Sequence, residues 1–167
     1  MALSIRRVRP GAEAALAAIQ TGSWRAAFSH ILQPEELARR TDRASVEAMY
    51  MGLLKEGRGH GYILTLDDQP QAMAWWDAAR DERFSGMAEL ICIHSLPARW
   101  RSGCGSALMD RVVEDIRAAG YDRMMLWVFR ENARAQAFYR AKGFIETDVT
   151  KNALGAEEIC LIKDLAE

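Results

Sequence analysis

The sequence predicts an α+β fold (mixed α/β), with helices flanking a central, mostly antiparallel sheet. Three observations carry that expectation. The chain has 167 residues, 50% hydrophobic and 27% charged, the balance of a globular domain long enough for a sizeable core. Its apolar period is helical through the first third and then turns strand-like. Residues 88–129 read strand, helix, strand, a unit that closes as a right-handed parallel crossover. No repeat, low-complexity segment or long linker divides the chain, so one domain over residues 1–167 is expected.

Residues 3–9 alternate apolar and polar and stop at Pro10-Gly11, which reads as a short strand. The alanine-rich stretch from about Ala12 is helical. Beyond Ser23, the residues Trp24, Ala27, Phe28 and Ile31 recur at i, i+3, i+4 and i+7, one face of a helix. Pro34 starts a short helix, and residues 44–56 make another that ends at Gly57. Residues 61–66 and 71–79 flank the turn "DDQP" and form a hairpin. Residues 88–95 are a strand that stops at Pro97. Residues 103–119 are a helix with Leu108, Val112 and Ile116 on one face and Gly120 as its stop. The near-continuous apolar run 123–129 suits a strand covered on both faces. Asn132 caps a helix ending before Gly143, and two more strands fill residues 144–164. The order condenses to β-α-α-β-β-β-α-β-α-β-β, about seven strands and four helices.

A net charge of −1 lacks the strongly basic footprint of a nucleic-acid binder, so no such partner is expected. Basic residues nevertheless gather at Arg99, Arg101, Arg111, Arg130 and Arg134, a pattern that suits a small anionic ligand. Cys92, Cys104 and Cys160 form no C-x-x-C pair, so neither a metal site nor a disulfide framework is expected. The start "MALSIRRVRP" has no apolar core of a leader, and "MMLWVF" is too short to span a membrane. The expected location is cytoplasmic.

The stretch "RWRSGCGSA" (99–107) places two glycines at a helix start, directly after the apolar strand. A helix N-terminus offers unpaired N–H groups and the positive end of the dipole. Glycines at Gly103 and Gly105 let an anion reach those amides without a Cβ in the way, and a phosphate or pyrophosphate is the natural guest. A tight strand-to-helix connection with no ligand stays open on spacing alone. A Walker A loop is excluded, because "GCGSA" has no lysine. The dinucleotide fingerprint also fails, since its third small position falls on Leu108 and no acidic residue ends the following strand.

Two stretches carry a more specific likeness. "AELICIHSLPARWRSGCGSALM" and "LWVFRENARAQAFYRAKGF" together span residues 88–144 and resemble the GNAT superfamily of N-acetyltransferases. The first is similar to that family's fourth strand, pyrophosphate loop and third helix, the second to its fifth strand and fourth helix. "SWRAAFSHILQPEEL" resembles its first two helices. The resemblance implies one parallel, splayed strand pair in an otherwise antiparallel sheet. It also implies acetyl-CoA as co-substrate, no metal, and direct transfer to a primary amine. The loop pattern R/Q-x-x-G-x-G/A puts Trp100 where Arg or Gln is usual, so Arg99 or Arg101 is expected to substitute.

Such a transfer needs a base for the ammonium proton, donors for the oxyanion and an acid for the thiolate. Glu89 is the expected base. It shares strand parity with Ile91 and Ile93 in a regular strand, and desolvation there would raise its pKa. It stands roughly 13 Å from Ile93 and is expected to act through water. His94 is its rival, expected on the opposite face. By the resemblance Tyr139 is the acid beside the CoA sulfur, and Asn132 lies beside the cofactor while serving as an N-cap. CoA contacts are expected from Ile93, His94 and Ser95 and from the loop Arg99, Trp100, Arg101, Ser102, Gly103, Cys104, Gly105 and Ser106. Trp24, Phe28, Trp75 and Trp76 are candidates to line the acceptor pocket, with at most one of Trp75 and Trp76 facing inward. The expected acceptor is a small amine such as an amino acid or polyamine, ahead of a protein amine. A catalytically silent acyl-CoA-binding sensor is the alternative. The oligomeric state stays open, a homodimer included.

Overall fold

The N-terminal alternation folds as strand β1 (Leu3–Arg7), and Glu13 then opens helix α1 (Glu13–Ala27). Ala12 offers no side-chain cap, so the Glu13 carboxylate instead accepts from the Gly11 N–H. The helix ends at Ala27, which corrects the longer helical face expected through Ile31. Phe28 is its C-cap, and the turn beyond is held by N–H groups of Ile31 and Leu32 donating to the Phe28 carbonyl. Pro34 sits at the first position of α2 (Pro34–Arg40), where its missing N–H is harmless. Asp42 starts a separate helix, α3 (Arg43–Glu56), by accepting from the Ser45 N–H at 3.0 Å, and Gly57 ends it at φ 65°. Three helices therefore lie between β1 and the next strand, one more than the condensed order counts, and five in all among the described residues.

The hairpin is β2 (His60–Leu66) and β3 (Gln69–Ala78), joined by Asp67 and Asp68 at φ 48° and 65°. Two successive left-handed residues match the right-handed strand twist, so the turn is two residues long and β3 starts at Gln69. The chain continues through β4 (Ala88–Ser95), α4 (Cys104–Ala118), β5 (Arg123–Phe129), α5 (Ala133–Ala141), β6 (Ile145–Ala153) and β7 (Ala156–Asp164). This computed structural model describes residues 2–166. Its seven strands form one sheet in the order β1-β2-β3-β4-β5-β7-β6, antiparallel except for β4 beside β5. No helix among the described residues is long and apolar enough to cross a membrane.

Both faces of the sheet are covered. On one, α4 buries Leu108, Met109, Val112 and Ile116 against Tyr62, Trp76, Leu90 and Leu126. On the other, α1 and α3 bury Leu16, Ile19, Val46 and Tyr50 against Ile63, Met73 and Trp75. Each such side chain contributes about 1.5–3 kcal/mol by leaving water. The neighbouring tryptophans Trp75 and Trp76 point into opposite cores and are both 3% exposed. Neither lines the cavity described below, which corrects their candidacy as acceptor-pocket residues.

Strand β4 has one irregularity that positions the site. Trp75 pairs with Cys92, but Trp76 pairs with Leu90, so Ile91 is an extra residue on β4. Such a bulge reverses the inward and outward alternation. Leu90 and Ile93 both face α4, whereas Glu89 and His94 face the α1 side. Glu89 therefore shares a face with His94 and not with Ile93, the reverse of the expectation from a regular strand.

Candidate active site

Strands β4 and β5 pair only at Ala88 with Met124 and at Glu89 with Met125. Beyond those pairs the strands diverge. The gap opens into a cavity of about 740 Å³, lined from both faces of the sheet. Residues of α5 and the turn before α4 line it together with residues of α1 and β7. A parallel pair that stops early leaves the β5-facing backbone groups of β4 free for a ligand with amides of its own.

At the start of α4, Gly103 is the N-cap at φ 88°, with no atom within 4 Å of where a Cβ would stand. A side chain at Gly105 would touch Phe138 at 3.6 Å, and both glycines line the cavity. The first-turn N–H groups of α4 thus lie open to an anion. Trp100 has a different task from the polar side chain it replaces. Its Nε1 donates to the Ser95 carbonyl at 3.1 Å, and the Arg134 guanidinium lies 3.6 Å over its ring. Burial lowers the Arg134 pKa, partly opposed by Tyr139, and the positive Arg101 nearby lowers it further. Arg101 and Arg134 both line the cavity beside this helix start. Arg99 lines the cavity while its Nε donates to Gln71 at 2.9 Å.

Several expected contacts fall elsewhere. Ser102 folds back on the Arg99 carbonyl, and Cys104 is buried in the α4 core, so neither side chain lines the cavity. Arg111 pairs with Asp115 at 3.1 Å and Arg130 with Glu157, both outside it. The cavity does include Ile93, His94, Ser95, Ser106, Asn132 and Tyr139. Asn132 accepts from the Ala135 N–H at 3.2 Å, the cap that starts α5.

Tyr139 is 9% exposed and opens onto the cavity, and its hydroxyl makes no hydrogen bond among the described residues. Burial raises its pKa well above that of an ordinary phenol, with Cys92 adding to the rise, so it stays a proton donor. Glu89 is not the free carboxylate expected. It is 2% exposed and lies off the cavity, clamped by Arg80 through Nε at 3.1 Å and Nη2 at 2.7 Å, with the Arg80 N–H at 3.2 Å. Charge-assisted bonds compensate its burial.

The carboxylate that does face the cavity is Glu158, opposite Phe129 on β7. It is largely buried and makes a loose ion pair with Lys151 at 3.9 Å. Burial pushes its pKa up, while Lys151 and Arg80 oppose the shift and Glu89 adds to it. Parity with Cys160 and Ile162 could have marked it in the sequence as a carboxylate on an apolar strand face. His94 accepts from Trp24 Nε1 at 3.2 Å on Nε2, with Ser23 Oγ 3.5 Å from Nδ1. Its pKa is lowered to about 4, first by burial and then by Arg134, so the ring is neutral. The aromatic wall of the cavity includes Trp24, Phe28, Trp127 and Phe129, with Phe28 edge-on to Trp24 at 5.0 Å and to Phe129 at 5.1 Å.

A glycine-opened helix start, two cations beside it and a split parallel strand pair in one sheet define the class of fold. Residues 16–144 match the acetyltransferase (GNAT) family. The chain belongs to the GNAT family. It is 48% identical over 48 residues to a mycothiol acetyltransferase of Beutenbergia cavernae, a match spanning 29% of this chain and 16% of that protein. Its fold is similar to that of the PaiA N-acetyltransferase of Thermoplasma acidophilum in complex with coenzyme A, with TM-score 0.83 and 15% identity over 98% of this chain and 99% of that one. An acetyltransferase of Salmonella typhimurium solved with its cofactor acetyl-CoA superposes with TM-score 0.75 and 20% identity, over 100% of this chain and 96% of that one.

Proposed function

We propose that this chain transfers an acetyl group from acetyl-CoA to the primary amine of a small molecule, with both substrates bound together. The observation that carries the reading is the cavity opened by the split strand pair, whose lining joins anion-holding groups beside the start of α4 to a carboxylate and aromatic rings. Acetyl-CoA supplies an activated acyl group and a thiol leaving group. The open N–H groups of α4, with Arg101 and Arg134, suit its pyrophosphate, and the unpaired edge of β4 suits its amides. Glu158 takes the proton that turns the acceptor ammonium into a nucleophilic amine. Nitrogen then bonds to the acyl carbon as the carbon–sulfur bond breaks. Tyr139 gives its proton to the departing sulfur and is reprotonated with the second proton shed by nitrogen. The net products are an amide, a free thiol and one proton released to water.

Release of CoA thiol against a panel of amines is the test. Glu158→Gln lowers kcat by about 10²–10⁴-fold and removes the acid limb of the pH profile, because only the ionised carboxylate accepts a proton. A Gln variant with unchanged turnover would remove Glu158 from this role. Thiol release from no amine, with CoA still bound, would leave a silent acyl-CoA-binding module.

A further inference from the structure

The cavity carries a charge arrangement that goes beyond a plain amine site. Arg80 follows β3 and lines the cavity with its side chain 64% exposed, yet it is fixed in place by three hydrogen bonds to buried Glu89. Its Nη1 makes no hydrogen bond among the described residues. Glu158 faces the same cavity, and its loose pairing with Lys151 leaves its oxygens short of donors. Arg80 and Glu158 line the same cavity without pairing with each other. Positive and negative groups thus share one cavity.

We infer that the acceptor is a small amine carrying its own carboxylate, of the amino-acid class, with Arg80 receiving the carboxylate and Glu158 the ammonium. A guanidinium already held rigid loses little freedom when it binds a second carboxylate, which suits this role. A second observation disfavours a polyamine. The Trp127 ring on the cavity wall is already met by Lys151 at 4.4 Å and by Arg83 at 5.8 Å. A further ammonium at that ring would meet two cations already placed there. The inference rests on the acetyl-transfer reading above.

The experiment compares kcat/KM for thiol release with the standard amino acids, their amides, their decarboxylated amines and spermidine, alongside CoA affinity by calorimetry. An acid preferred over its own amide and amine by about tenfold or more is expected, since a site built for a carboxylate penalises its absence. Arg80→Gln should collapse that ratio mainly through KM of the acid. The wild-type comparison stands even where the variant fails to fold. Equal or better use of the amides, the simple amines or spermidine overturns the inference and leaves acetyl transfer standing. No acetylation of any amine while CoA binds overturns both.

Discussion

His94 carries no charge at neutral pH, and its folded state is arranged to keep it so. Trp24 donates to Nε2, and Arg134 works with burial to hold the pKa at about 4. In the unfolded chain the same ring titrates near 6.5. Between those values the unfolded state binds the extra proton, so stability falls as pH drops through that window. Urea unfolding at pH 7 and pH 5 should show wild type losing stability on acidification, and His94→Gln losing distinctly less. Equal losses would mean that His94 is not the group responsible. Tyr139 has the opposite charge preference from a catalytic base, since burial keeps its proton in place. Tyr139→Phe should lower kcat by about 10²–10⁴-fold with CoA affinity nearly unchanged, because the ring still packs between Phe138 and Phe144. A loss seen only in CoA affinity would make the phenol a binding group instead.

Among the elements, the turn before α4 invites the sharpest perturbation. A side chain at Gly105 meets Phe138 only at ordinary contact distance, and an acidic group in a first helical turn favours the helix. Gly105→Glu should therefore abolish CoA binding by calorimetry while the melting temperature stays within a few degrees. Retained micromolar affinity would refute the cradle. The two glycines of this turn are legible in the sequence, because their spacing and the apolar strand before them are local signals. The role of Trp100 is not, since its partner Arg134 lies on another element and only the fold stacks them. The bulge at Ile91 is equally hidden. "LICI" (90–93) is apolar at successive positions, so no alternation there reveals a slip, and the parity that puts Glu89 on the face of Ile93 is one the strand does not keep. Glu158 carries a local mark, its parity with Cys160 and Ile162, but only the neighbouring strand and the split beyond it show that this face borders a cavity.

For the molecule as a whole, adjacent Trp75 and Trp76 show how a sheet covered on both sides defeats alternation. Each is buried, one under α1 and α3 and the other under α4. Trp76 also donates to the Tyr62 hydroxyl at 3.0 Å, which in turn donates to Asp115 at 2.8 Å. Trp76→Ala should destabilise the fold by about 3–5 kcal/mol in urea unfolding, through a lost ring and an emptied core. A loss below about 1 kcal/mol would contradict the core assignment. The early end of the β4–β5 ladder has a mechanical consequence as well. Strands β1 to β4 and strands β5 to β7 are two leaves joined along the middle by a spine of only two residue pairs. A molecule lying in the slot and hydrogen-bonding to the inner margins acts as the missing binding of the book. Occupancy by one substrate thereby stiffens the wall against which the other must be aimed.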